Sequence, residues 1–362
     1  MPPAGGWPSR QRPPGGRAVS SNRDQNPRVV HPLLRAHLSW LADRRSPAGR
    51  RFKLTAERAL MPRHPTEPAA AGMPEDLLAV VAERYGMHAS LSARRLTGGY
   101  ANDVFLLEGL DLILHLKYPP ADIDSLSWEH RLLRLLADQL PEVPPPRADQ
   151  NGSTFFLHDE QPVWLMPFRP GNAARPSDRR AVGAALGRLH ATVIDLPSRP
   201  GHARLRDLPI PPLREMPPTF DRWLRLIAQA RADLIRLVSH IDRTRRPAVG
   251  TTHNDIFPGN VLVQDGSVTA LLDWEEADID WQVWDLAASL WPFCDPADWR
   301  PGMTDFVVGY RDGGGRMPGD DDDLILPLVR AKRILEVLRA PTDRQPRWDL
   351  QLANVEAYQA LG

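Results

Sequence analysis

Apolar and polar positions alternate at two different periods along the chain, and the change between them divides it. Pro74 opens an amphipathic helix, Glu75 to Tyr85, which Gly86 stops. Three β-like stretches follow, Leu91 to Leu96, Asp103 to Glu108 and Leu112 to Lys117, the last two joined by a turn at Gly109. In the third, alternation puts Leu112, Leu114 and Leu116 on one face and Ile113, His115 and Lys117 on the other. A Leu-rich helix from about Leu126 to Gln139 ends before Pro141 and the Pro144–Pro146 run. Two further strands are expected at Thr154 to His158 and Val163 to Phe168. Beyond Gly171 the spacing becomes helical, near Ser177–Thr192, Phe220–Ile241, Trp284–Trp291, Thr304–Tyr310 and Asp323–Leu338. One hairpin interrupts it, Val261 to Val263 and Val268 to Leu272 around Asp265-Gly266. The pattern predicts an α+β chain with a small sheet-rich lobe over 73–168, a larger helical lobe over 169–362, and a cleft between them.

Composition sets the first 72 residues apart. They are rich in Pro, Gly and Arg, with one apolar patch at Leu33 to Leu41, too little to offset the entropy of ordering. They hold 13 Lys or Arg against 4 Asp or Glu, a net of +9, so the remainder carries −9. The segment is expected to be a disordered basic extension, or a stretch upstream of a true start at Met73, the reading composition favours. The whole chain is formally neutral, which gives no electrostatic reason to expect a nucleic-acid or membrane partner. No apolar run approaches the roughly 20 residues that span a bilayer, and no secretory signal is visible. The one cysteine, Cys294, cannot form an internal disulfide, which is compatible with a cytoplasmic location.

The chemistry concentrates in Thr252-His253-Asn254-Asp255-Ile256-Phe257-Pro258-Gly259-Asn260-Val261-Leu262 and in Leu272-Asp273-Trp274-Glu275. Phosphoryl transfer needs a carboxylate to take the proton of the attacking hydroxyl and oxygen ligands to hold Mg²⁺ against phosphates. Asp255 and Asn260 lie five apart on a Pro/Gly turn. The hairpin that follows returns Asp273 beside Asn260. One carboxylate is then free to act as base while two oxygen donors converge on a metal. Each residue alone reads as an ordinary turn or strand-end position. Their order and spacing together point to catalysis.

His253-x-Asp255-x4-Asn260 followed by Asp273-Trp274-Glu275 resembles the aminoglycoside phosphotransferase family, which includes choline, ethanolamine and type II homoserine kinases. The resemblance covers Met73 to about Tyr310. It implies a bilobal protein-kinase-like fold, ATP or GTP with Mg²⁺, Asp255 as base, Asn260 and Asp273 as metal ligands, and His253 as a scaffold of the catalytic loop. It also places a phosphate-facing loop at Leu96–Phe105, with Gly98, Gly99 and Asn102, though without a full G-x-G-x-x-G. Backbone groups near Met166 to Phe168 become the hinge facing the nucleotide base, and Asp285 a brace for the catalytic loop. No G-x4-G-K-[ST] loop occurs, which argues against a P-loop kinase.

Lys117 closes a buried strand, where an ammonium can reach nucleotide phosphates, and Glu129 on the next helix is the expected ion-pair partner. Lysine is otherwise scarce after Met73, where only Lys117 and Lys332 occur. Glu275 and Glu276 are candidates for an acceptor site. With Asp278, Asp280, Trp274, Trp281 and Trp284 they would suit a cationic substrate, unless the tryptophans are core. The expected function is phosphorylation of a hydroxyl on a small molecule, an aminoglycoside-type antibiotic or similar natural product. The alternatives are a metabolic kinase for homoserine, choline or ethanolamine, or a sugar, and a nucleotide-binding pseudokinase or regulatory module. Trp274-Glu275 in place of Phe-Gly argues against a protein kinase.

Overall fold

Five antiparallel strands build the smaller half: β1 (Ala93–Leu96), β2 (Asn102–Leu107), β3 (Leu112–Lys117), β4 (Phe156–His158) and β5 (Gln161–Pro167), in the order β1-β2-β3-β5-β4. The structure is a computed structural model. It describes residues 73–361 apart from 75, 88–89, 97–101, 118–121, 202–209, 211, 214, 295–298, 318–320 and 340–347, all within the unit His31–Gly362. Residues 1–72 and the expectation of a disordered extension lie outside the described residues, as do Gly98 and Gly99.

The alternation in β3 sorts its faces as the sequence implies. Leu112, Leu114 and Leu116 join Phe105, Leu107, Val163 and Leu165 in a core closed by Leu77, Val81 and Tyr85, on or just beyond helix α1 (Leu77–Arg84). On the opposite face His115 stacks on Trp164 at 4.8 Å, and His130 of helix α2 (Ile123–Ala137) meets the same indole edge-on at 5.4 Å. Burial holds both imidazoles neutral, pushing His115 down to about 4 and His130 to about 3.

The larger half is helical: α3 (Arg179–Ala191), α4 (Leu224–Thr244), α5 (Gln282–Leu290), α6 (Trp299–Asp312), α7 (Ile325–Arg339) and α8 (Trp348–Ala360). Two small sheets complete it, β6 (Asn172–Ala173) with β8 (Val261–Gln264) and β9 (Ser267–Leu271), and β7 (Val249–Thr252) with β10 (Asp278–Trp281). The β8–β9 hairpin turns at Asp265 (φ 51°) and Gly266 (φ 76°), the left-handed pair that an Asp-Gly turn supplies. Asp278, Asp280, Trp274, Trp281 and Trp284 are all buried. The aromatic-carboxylate surface for a cationic substrate therefore does not form, because its rings are core and its β10 acids face inward. Among the described residues no helix is long and apolar enough to cross a membrane.

Helices α3 and α6 touch backbone to backbone through glycines spaced four apart. A Cβ at Gly183 or Gly187 would fall on the carbonyl oxygens of Phe306 or Tyr310, and one at Gly309 or Gly313 on those of Arg180 or Ala184. Gly187→Ala is expected to cost about 1–3 kcal/mol by overpacking, read as a lowered denaturation midpoint. A midpoint equal to wild type would mean the helices separate freely.

Candidate active site

Asp285, in the first turn of α5, organises the loop after β7. Its carboxylate accepts the His253 amide at 2.6 Å and the Asn254 amide at 2.8 Å. His190 Nε2 of α3 donates to the same carboxylate at 3.0 Å, and its Nδ1 meets the Tyr310 hydroxyl at 2.9 Å. Burial alone would raise the Asp285 carboxyl, but His190 and these amides outweigh it and hold it below its ordinary value. The α3–α6 glycine contact is what lets Tyr310 reach His190.

The loop runs on local bonds. Asn254 takes a left-handed φ of 63°, and its side-chain amide donates to Thr252 Oγ1 and the Glu276 carbonyl, both at 2.9 Å. His253 lies under Trp274 at 4.5 Å, donates from Nε2 to the Leu272 carbonyl at 3.1 Å, and accepts the Asp255 amide on Nδ1 at 3.3 Å. Burial keeps this imidazole neutral, so one nitrogen donates while the other accepts. His253 is scaffolding in this arrangement.

Asp255, Asn260 and Asp273 converge. Asn260 Nδ2 donates to the Asp255 carbonyl at 3.0 Å and to Asp255 Oδ2 at 2.8 Å, which leaves the Asn260 amide oxygen as the end available to a cation. The hairpin brings β9 back so that the Leu272 amide donates to the Asn260 carbonyl at 2.7 Å, and Asp273 follows at φ 64°. Asp255 and Asp273 both face solvent, yet crowding by protein atoms raises both carboxyls. Asp273 is pushed up to about 7, by desolvation first and then by Glu275, Asp255 and Glu129.

Lys117 and Glu129 do not pair. The Lys117 ammonium sits 2.9 Å from Glu275 Oε1, so Glu275 spans the cleft to the strand and is not an open acceptor contact. Glu129 Oε2 is taken by Arg199 at 2.7 Å. Arg199 also donates from Nε to Ser125 Oγ at 2.6 Å and from Nη1 to the Trp274 carbonyl at 2.9 Å, while its own amide bonds Asp278 Oδ1 at 2.8 Å. This buried guanidinium ties α2 to the segment after Asp273. The physical reason for the exchange is geometric: a planar fork serves a carboxylate, a hydroxyl and a carbonyl at once, which an ammonium on a strand end cannot.

Asn102 opens β2 directly opposite Lys117. Met166 pairs with Ile113 in the sheet, and its side chain packs on the large core. The Phe168 amide already donates to the Asp111 carbonyl at 2.8 Å, and Pro167 has no amide hydrogen, so the expected hinge keeps fewer donors for a base than its sequence suggests.

Among the described residues no group of three or more His, Cys, Asp or Glu could form a closed metal cage. Mg²⁺ needs none, since one or two carboxylates plus phosphates suffice. The donors present fit such an ion: Asp273 and the Asn260 amide oxygen offer oxygens beside Asp255, while Glu275 and Glu129 are already taken by Lys117 and Arg199. Because the folded value of Asp273 lies above the ordinary 3.8, its protonated form favours the fold below about pH 4, and that contribution is lost as pH rises through about 7. The melting temperature of the metal-free protein is expected to fall across that window. Asp273→Asn should flatten the fall, and Mg²⁺ with nucleotide should reverse it at pH 8. An unchanged slope in the variant would exclude Asp273 as the cause.

A sheet lobe and a helical lobe with carboxylates gathered on the loop between them make the architecture of the protein-kinase-like small-molecule kinases. A family model described as the phosphotransferase enzyme family, APH, matches residues 92–322, and the chain belongs to that family. It is 26% identical over 273 residues to the homoserine kinase of Bradyrhizobium sp. (strain BTAi1 / ATCC BAA-1182), covering 70% of this chain and 79% of that one. To the homoserine kinase of Gluconobacter oxydans (strain 621H) it is 28% identical over 244 residues, 63% of this chain and 75% of that one. Its fold matches an amicoumacin kinase solved with AMP-PNP and Ca²⁺, at a TM-score of 0.58 and 16% identity over 79% of this chain and 92% of the other. The expected fold class is borne out.

Proposed function

We propose that this phosphotransferase moves the terminal phosphoryl group of ATP or GTP to the hydroxyl of a small metabolite of the homoserine type rather than to an antibiotic. Asp255 accepts the hydroxyl proton as the acceptor oxygen bonds to the γ-phosphorus, and the bond from that phosphorus to the bridging oxygen breaks to release the nucleoside diphosphate. Lys117, at the end of the central strand β3, meets nucleotide phosphates. Asn260 and Asp273 would hold Mg²⁺, which when bound neutralises phosphate charge. Asn260 also fixes the Asp255 carboxylate for its proton, and His253 sets the loop beneath it.

The observation that carries the reading is the convergence of Asp255, Asn260 and Asp273 on one bonded hairpin. The metabolic preference is supported by the homoserine kinases matched in sequence over three quarters of their length. The presence of the base together with both ligand candidates weighs against a pseudokinase. A cytoplasmic location, where nucleoside triphosphates are abundant, accompanies this reading. The test is nucleoside diphosphate release by the full chain with Mg²⁺ over a panel of amino alcohols, sugars and aminoglycosides. Release with a small amino alcohol or hydroxy amino acid, abolished in Asp255→Asn, is expected. Release that no acceptor stimulates would overturn the proposal.

A further inference from the structure

The lysine on the nucleotide side already has an anion. Glu129, the partner its sequence position suggests, is held by Arg199 at 2.7 Å and is buried with it. Lys117 Nζ instead meets Glu275 Oε1 at 2.9 Å, with the two side chains 19% and 30% exposed. Glu275 stands two residues beyond Asp273, so the ammonium that faces phosphates is clasped by the segment that carries a metal-ligand candidate. The main chain on either side of this clasp is pinned. Trp274 is buried, its indole N–H donates to the Leu271 carbonyl at 3.0 Å, its carbonyl accepts Arg199 Nη1 at 2.9 Å, and its ring lies on His253 at 4.5 Å. Lys117 ends β3 in register with Asn102 of β2. What can yield is the pair of side chains. Both are long, unbranched and partly exposed, so the clasp opens by rotamer change while the strands stay in place.

We propose that Glu275 is a specificity-determining residue for the nucleotide: it holds Lys117 in the empty cleft and gives it up to a nucleoside triphosphate carrying Mg²⁺ far more readily than to the bare nucleotide. The proposal rests on the phosphotransferase reading and adds a selection at its nucleotide site. Charge decides it. Phosphates that take Lys117 displace Glu275 and leave its carboxylate without that cation, beside Asp273 and in the cleft that also holds Asp255. A bare triphosphate brings further negative charge and nothing for the released carboxylate to face. With Mg²⁺ on the nucleotide part of that charge is neutralised, and Asp273 and Asn260 have a cation to meet. A partly exposed ion pair shifts an equilibrium by only about fivefold. It is therefore weak enough for the matched ligand to open, yet its loss still separates two ligands that differ in charge. The exchange of partners at Glu129 matters here, because Arg199 keeps that acid from taking over Lys117 when Glu275 lets go.

Calorimetric titration of AMP-PNP into the full chain, once with Mg²⁺ and once with EDTA, tests the proposal in wild type, Glu275→Gln and Glu276→Gln. Glutamine has the shape of the glutamate it replaces, and the position is partly exposed, so the fold is kept. Wild type should bind far more tightly with Mg²⁺. Glu275→Gln should raise the affinity for the bare nucleotide about tenfold, from a lost competitor and a lost like charge together, and leave the affinity with Mg²⁺ within about threefold, so the gap narrows. Glu276→Gln removes the same charge one residue on, from a carboxylate that is not the one on Lys117, and should keep the wild-type gap. An unchanged gap in Glu275→Gln overturns the proposal. So does a variant that loses affinity mainly with Mg²⁺, which would make Glu275 a ligand of the metal. Equal narrowing in Glu276→Gln also overturns it, since a general field and not the clasp would then select. In these three cases nucleotide binding stands and the phosphotransfer reading with it. Wild type that binds AMP-PNP under neither condition overturns both.

Discussion

Replacing Asp255 with Asn is expected to lower kcat by about 10²–10⁴-fold, the range for loss of a general base, while nucleotide affinity and the fold are kept. The amide is isosteric and still offers an oxygen to Asn260 Nδ2, so the 2.8 Å contact survives. What is lost is the group that takes the proton. Stability should move the other way. Crowding raises the Asp255 carboxyl, with desolvation the largest cause, so the fold disfavours its charged form. The variant should therefore melt at or above the wild-type temperature, the trade between activity and stability that catalytic groups often show. Stopped-flow turnover, nucleotide titration and thermal melting of one preparation give all three readings. Activity within a few-fold of wild type would remove Asp255 from the chemistry. A large loss of nucleotide binding would shift it to the metal.

The strands and helices that follow a simple period were legible from sequence. The expected β3 span matches the observed one, and α2, α3, α4, α5 and α7 fall within a few residues of their expected bounds. Elements that break the period were not. β10 reads Asp-Ile-Asp-Trp, and nothing local says that its two acids turn inward to be satisfied by the Arg199 amide and neighbouring groups. β7 and β6 are too short to show alternation, and α8 carries almost no apolar stripe of its own. In the site, local spacing was enough to bring Asp255, Asn260 and Asp273 close, because a two-residue turn starts the hairpin, although a bulge at Leu262/Val263 then shifts its register by one residue. The partner of Glu129 was misassigned because ion pairing is a tertiary fact. Lys117 lies 12 residues away and Arg199 lies 70 away, in a Pro-rich stretch with no periodicity to mark it.

Arg199→Ala is expected to be the most damaging single change to stability among those considered. The side chain is almost fully buried, and it joins Glu129 and Ser125 of α2 to the Trp274 carbonyl, while its backbone amide stays on Asp278. Truncation leaves the Glu129 carboxylate buried without its cation, along with a hydroxyl and a carbonyl that lose their donor. Removing one member of a buried ion pair costs about 3–5 kcal/mol, most of it the stranded charge. Burial already pushes the Glu129 carboxyl upward against the pull of Arg199, so the loss should appear as uptake of a proton by Glu129 and a stability deficit that deepens with rising pH. Two companion variants separate charge from packing. Arg199→Lys should recover little, since one ammonium cannot reach three groups that a planar fork serves. Glu129→Gln combined with Arg199→Ala should lose less than the sum of the two single changes, because the stranded charge is gone. Denaturant unfolding of wild type, the three single variants and the double variant at pH 6 and pH 8 measures this. If Arg199→Ala unfolds within about 1 kcal/mol of wild type at pH 8, well short of the cost of a broken buried pair, then α2 is held by its apolar face alone and the arginine is not the tie between the lobes.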